Sequence, residues 1–173
     1  MPNDKKPVKL KVPLTKTGSG WYFLRFPAKV GLRFQTDART RRVVCTLNDA
    51  HTFQCALLPN KDEFCIVVNK SIREKLGLED GSVVRVELAD DTSKYGAPMP
   101  EELKEVLKQD PVGNRLFHAL TAGKQRSLIY LIRGVKNVDK RIHLALIVVK
   151  HITENDGKVI GDKLYEEMKR PTL

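Results

Sequence analysis

Basic side chains are the residues whose number and spacing here come nearest to a chemistry. Arg39, Arg41 and Arg42 put three guanidiniums within four residues, and a guanidinium offers a planar fork of donors that matches a phosphate. A second group comprises Lys124, Arg126, Arg133, Lys136, Lys140 and Arg141. Within it Arg126, Tyr130 and Arg133 recur at helical spacing, which sets an aromatic ring between two cations on one helix face. That arrangement suits a nucleic acid or another polyanion. For each group, taken alone, the favoured reading is nonetheless ordinary solvated surface, with pairing inside the molecule for the second.

Residues that do covalent or metal chemistry are present without the spacing that such chemistry needs. His51, His118, His143 and His151 form no H-E-x-x-H or comparable ligand pattern, so no metal is expected. Cys45, Cys55 and Cys65 include no C-x-x-C pair. At strand-interior positions they read as small buried hydrophobes and not as nucleophiles. Ser19, between Gly18 and Gly20, belongs to a flexible turn, since no phosphate-loop motif G-x-x-x-x-G-K-[ST] occurs; Gly123-Lys124 is followed by Gln125. No catalytic signature emerges and no cofactor is expected, so the protein is read as non-enzymatic.

Composition bounds what must position these residues. The 173 residues are 41% hydrophobic and 30% charged, which describes a globular chain large enough for one domain or two small ones. Lys plus Arg number 31 against 21 Asp plus Glu, a formal charge of +10, and that surplus favours polyanionic partners. The longest apolar run, Leu144 to Val149, is six residues, against the ~20 that span a bilayer. The first residues carry no apolar run of the secretory kind, and an odd cysteine count fits reduced thiols. A cytoplasmic location is expected.

The first half has the period of strands. Val8, Leu10, Val12 and Leu14 alternate with polar residues or proline, and Trp21 to Phe26, Arg42 to Leu47 and His51 to Leu58 are strand-like. A hairpin loop centred on Ala50 would set Val43, Cys45 and Leu47 opposite Leu57, Cys55 and Phe53, six apolar side chains on one face. Register thus favours an odd-numbered loop. Phe64 to Val68 reads as a buried strand, Lys70 to Leu76 as a short helix ended by Gly77, and Ser82 to Leu88 as a further strand.

This half also resembles itself. Tyr22 to Val30 aligns with Phe64 to Ile72 at an offset of 64 − 22 = 42 residues, each segment a strand leading into a short helix and then, after a turn, another strand. Neither unit can bury its apolar face alone, and the pair is expected to close into a small pseudo-twofold barrel. Asp90 to Pro100 is rich in structure breakers and reads as the linker.

Helices follow. Glu101 and Glu102 suit the positive end of a helix begun at Pro100, and Asp110-Pro111 starts the next. Leu128, Ile129, Leu131, Ile132 and Val135 stripe a third helix. Asp139 is expected to cap a fourth that carries Ile142, Ala145, Leu146, Val149 and Ile152 inward. Lys163 to Lys169 suggests a last short helix. The fold class expected is α+β, with a β-barrel domain over residues 1–93 and a small helical domain over 94–173.

Two stretches resemble known families. Phe64 to Leu88, with Leu76-Gly77-Leu78-Glu79-Asp80-Gly81 at its centre, resembles the strand, short helix, strand unit of the AbrB-like swapped-hairpin proteins. Taken with Gly20-Trp21-Tyr22-Phe23 and Arg41 to Leu47, it is similar to an uncharacterised bacterial and archaeal family whose single chain carries both halves of a double-split β-barrel. Residues 121–150, from Thr-Ala-Gly-Lys-Gln-Arg-Ser through Asp139-Lys140-Arg141-Ile142, resemble the helical YdeI/OmpD-associated domain, labelled a bacteriocin-protection family. These resemblances imply a binding module, with a protein or polyanion as partner, acting in stress or antimicrobial-peptide tolerance. The alternative implied by the AbrB-like regulators is transcriptional control, with Arg39, Arg41, Arg42, Lys124, Arg126, Arg133, Lys136, Lys140 and Arg141 on phosphates.

Overall fold

The computed structural model describes residues 5–34 and 41–171. The chain forms two compact units that divide between Thr92 and Ser93, each with its own apolar core. The α+β architecture is present: a closed six-stranded antiparallel barrel followed by helices.

The barrel contains β1 (Val8–Lys16), β2 (Tyr22–Pro27), α1 (Ala28–Gly31), β3 (Arg41–Leu47), β4 (His51–Asn60), β5 (Glu63–Val67), α2 (Lys70–Leu76) and β6 (Val83–Asp90). Strands run around it in the order β1-β2-β5-β4-β3-β6, with β6 returning to β1. Alternation does the sorting, because successive side chains on a strand face opposite ways. Leu14, Leu24, Val43, Cys45, Leu47, Leu57, Ile66, Val84 and Leu88 point inward and are fully buried.

The ring maps onto itself. Exchanging β1 with β4, β2 with β5 and β3 with β6 reproduces every neighbour relation in it. Registers agree as well. The β1–β6 pair Val8 and Leu88 corresponds to the β4–β3 pair His51 and Leu47, shifts of 51 − 8 = 43 and 88 − 47 = 41 residues. The same shift of 43 carries Thr15 onto Leu58, and the offset of 42 carries its partner Phe23 onto Cys65, the partner of Leu58. Equivalent inward positions are apolar in both halves: Leu14 with Leu57, Leu24 with Ile66, Val43 with Val84, Cys45 with Val86, Leu47 with Leu88. The repeat is therefore legible in residue class at every one of these positions, and in identity at three of them.

Its two helices differ in length for a local reason. Asn69 caps α2 by accepting from the Ile72 N–H at 2.9 Å, and Gly77 ends it in a left-handed conformation at φ 62°. Pro27, the counterpart of Asn69, has no side chain able to cap, and α1 is a single turn. Gly31 lies so close to Phe64 that a Cβ there would collide with the ring.

One register expectation is corrected. The β3–β4 loop is the odd-numbered Asn48-Asp49-Ala50, but it centres on Asp49, so Cys45 faces Phe53 and Cys55 faces Val43. All six apolar residues still share the inward face, since the slip is two residues. The cause lies on β6. Asn48 donates its N–H to the Arg85 carbonyl at 2.8 Å and accepts from the Arg85 N–H through Oδ1 at 2.9 Å, which fixes the turn there.

The helical unit contains α3 (Glu101–Gln109), α4 (Pro111–Ala119), α5 (Ala122–Arg133), α6 (Val138–Glu154) and α7 (Gly161–Met168). α6 is its axis and packs against α3, α4, α5 and α7. Side-chain caps define the starts: Asp110 accepts from Gly113, Thr121 from Lys124 and Asn137 from Lys140. The cap of α6 is thus Asn137 and not Asp139, which lies within the first turn. Among the described residues no helix is long and apolar enough to cross a membrane.

Candidate functional site

The basic residues expected to hold phosphate are placed differently from one another. Arg39 lies outside the described residues. Arg41 and Arg42 are neighbours on β3 and so face opposite sides of the sheet. The Arg41 guanidinium covers the Phe64 ring at 4.8 Å, at the rim of the barrel interior. These two do not converge. In the helical unit Arg133 ends α5, Lys136 lies in the connection and Lys140 sits in the first turn of α6, all exposed. Tyr130 is exposed on α5, Arg126 is half-buried, and Lys124 lies at the other end of that helix.

Arg141 is committed elsewhere. Its Nε donates to Glu102 Oε1 at 2.9 Å, while Nη1 donates to the carbonyls of Val135 and Lys136 at 3.0 and 2.9 Å. One guanidinium thus ties α3, the α5–α6 connection and α6 together. The Glu102 carboxyl is held below its ordinary value, first by its own backbone N–H and then by Arg141.

Beside that ion pair lies a groove between α3 and α6 with a volume of about 880 Å³, within the size range of ligand sites. Val106, Ile142, Leu146 and Val149 give it an apolar surface, and Glu101, Glu102, Glu105, Asp110 and Glu154 surround them with carboxylates. Lys150 is the one cation in the lining, and it is paired with Glu154 at 3.8 Å. Here a second expectation is corrected. Ile142 and Leu146 do not face inward but are 41% and 52% exposed, while Leu144, Ala145, Val148, Val149 and Ile152 fill the core. α6 carries apolar residues around more than the arc its neighbours cover. Val138, 53% exposed, extends the same row by one turn.

The groove residues were not singled out by sequence. Glu101 and Glu102 look like carboxylates favoured at a helix start, and Ile142 and Leu146 look like core. The available signal was the width of apolar periodicity on α6, which exceeds what one buried stripe requires.

A buried polar pair lies on the other side of α6. His151 Nδ1 is 2.7 Å from Glu167 Oε2, and its Nε2 is 3.0 Å from the Ile160 backbone N. A backbone N–H can only donate, so Nε2 accepts, which assigns the proton to Nδ1 and the donor role toward Glu167. Both residues are buried, and both ring nitrogens are engaged in holding α7 and the segment before it against α6. In the barrel the Cys45 thiol is held far above the usual thiol range, first by hydrogen bonding with Cys55 and then by burial; burial also raises Cys65. All three cysteines are free thiols. Among the described residues no group of three or more His, Cys, Asp or Glu is placed to hold a metal ion.

Comparison with protein families finds two matches in the order of the two units. Residues 11–88 match a family described as a domain of unknown function (DUF1905). Residues 97–143 match one described as "Bacteriocin-protection, YdeI or OmpD-Associated". No curated protein matches the chain.

Proposed function

We propose that this chain is a non-enzymatic binding module acting in stress or bacteriocin and antimicrobial-peptide protection, with the α3–α6 groove as its binding surface. The observation that carries this reading is the exposure of Ile142 and Leu146 in a concave site among carboxylates. Large apolar side chains left in water at a groove mark a surface that is covered in use. The carboxylates there are held in place by partners within the chain: Glu101 by Lys104, Glu102 by Arg141, Glu105 by Lys108 and Gln109, Asp110 by the α4 N-terminus, and Glu154 by Lys150. The description of the family matched by residues 97–143 supports the protective role. In this reading the barrel is a rigid AbrB-like, single-chain pseudo-dimer in the cytoplasm, supported by the self-mapping of its strand order.

Complementation tests it. In a strain lacking the gene, the wild-type chain is expected to restore survival under a bacteriocin or cationic-peptide challenge, and a folded Leu146→Arg variant is expected to fail. Equal rescue by both would remove the groove from the function.

A second reading, a nucleic-acid-binding regulator, draws on the exposed Arg133, Lys136 and Lys140 around one helix connection with Tyr130 nearby. It requires duplex binding that weakens with salt at a log-log slope of about −0.9 per phosphate contacted. A flat salt response eliminates it.

A further inference from the structure

We infer that the occupant of the α3–α6 groove is a cationic amphipathic peptide that binds as a helix of about three turns. The inference rests on the groove being the binding surface, and it adds the chemistry of what binds.

Charge complementarity is the first argument. The lining holds five carboxylates and one lysine, in a chain whose formal net charge is +10. On α3 the charges are segregated: Glu101, Glu102 and Glu105 line the groove, whereas Lys104 and Lys108, which pair with Glu101 at 3.8 Å and Glu105 at 4.0 Å, lie on the adjoining face outside it. Glu101 and Glu105 stand one turn apart on the same face of α3, and Glu154 sits near the end of α6, so carboxylates border the apolar surface on both helices. A ligand lying in the groove meets apolar contacts beneath and negative charge at its margins.

Shape is the second. Ile142, Leu146 and Val149 line the groove along α6 for about 10 Å at 1.5 Å per residue, and the exposed Val138 continues the row one turn beyond it. α3, nine residues long, borders the groove for about 14 Å by the same rise. An elongated apolar row between two helices is the setting in which a third amphipathic helix seats its own i, i+3, i+4 and i+7 side chains. A compact ligand would leave much of that row in water.

The test uses the full chain and three synthetic 14-residue helices with one leucine face, whose polar face is lysine, glutamine or glutamate. Binding is read by fluorescence anisotropy at physiological salt. The protein's overall charge repels the lysine peptide and attracts the glutamate one, so nonspecific attraction predicts the opposite order from the groove. Expected is preference for the lysine peptide by at least about tenfold, a difference of ~1.4 kcal/mol. Leu146→Ser, and separately Glu101→Lys with Glu105→Lys, should each weaken it by at least about tenfold. These positions are exposed, and circular dichroism with thermal melting establishes that each variant is folded; Ile142→Ser substitutes for any that is not. Equal binding of the glutamine and lysine peptides overturns the cationic assignment and leaves the groove as a binding surface. Binding of the lysine peptide unchanged by Leu146→Ser, or no binding of any peptide, overturns both. Self-association abolished by Leu146→Ser would identify a second copy as the occupant and also overturn the inference.

Discussion

Leu24 on β2 and Ile66 on β5 lie directly opposite each other, and each is the other's counterpart in the repeat, 66 − 24 = 42 residues apart. The approximate dyad of the barrel therefore passes between them. Thr46 on β3 and Glu87 on β6 occupy the equivalent place on the opposite side of the ring. Leu24 and Ile66 are both fully buried, so the axis enters through packed side chains and not through a turn.

Leu24→Ala and Ile66→Ala are each expected to cost ~2–5 kcal/mol, the range for large-to-small changes in a close-packed core. Because the two side chains share one neighbourhood, the double variant should depart from the sum of the singles by at least ~0.5 kcal/mol. Urea unfolding measures all three. A single-variant loss below ~1 kcal/mol would mean that this strand pair is not central to the core.

The Glu102–Arg141 pair gives the helical unit an acid-sensitive contribution. The folded carboxyl titrates below its ordinary value of 4.5, so in the interval beneath that value the unfolded chain binds the proton first. Stability from the pair is complete above the ordinary value and is lost as pH falls through the folded one. Glu102→Gln should lower stability by ~1–3 kcal/mol at neutral pH and flatten the acid limb of a stability–pH curve. An unchanged acid limb would show that the pair contributes nothing there.

Removing the Glu167 carboxylate leaves the His151 Nδ1–H buried without its acceptor. Glu167→Leu is expected to cost ~1–3 kcal/mol and to speed amide exchange in α7 more than in α3. Uniform exchange across the unit, with no thermal shift, would argue that α7 is held by its apolar contacts alone.

Cys45 should react with a thiol reagent only when the barrel opens. A raised thiol pKa depletes the thiolate, and full burial excludes the reagent. Cys55, half-buried at the diagonal position, should label sooner. Mass spectrometry of timed labelling separates the two, and equal fast rates in native conditions would contradict the packing described.

Periodicity carried most of the architecture. The repeat could be found because the inward positions of both halves must be apolar, whatever their identity, as with Leu24 and Ile66 or Cys45 and Val86. Three things were hidden for distinct reasons. The β3–β4 register depends on Asn48 bonding to Arg85, a partner 37 residues away that no local pattern reveals. Arg141 looked like one more surface cation, and its Glu102 partner lies 39 residues distant. Ile142 and Leu146 have the residue type and spacing of core, and hydrophobic period alone does not say how wide an arc the neighbouring helices cover.

The three-residue turn Asn48-Asp49-Ala50 is the covalent joint between two halves that could otherwise meet only by diffusion. Joining them converts assembly into an intramolecular event whose effective concentration the linker sets. The stability of this barrel is therefore indifferent to dilution, unlike that of a dimer with the same strand order. Fusion also frees each half from having to match the other: Tyr22 lies under the Arg73 guanidinium at 3.7 Å, while its twin Phe64 lies under Arg41 at 4.8 Å. Two copies of one gene product would be obliged to repeat a single choice at both places, and here each side has settled on its own.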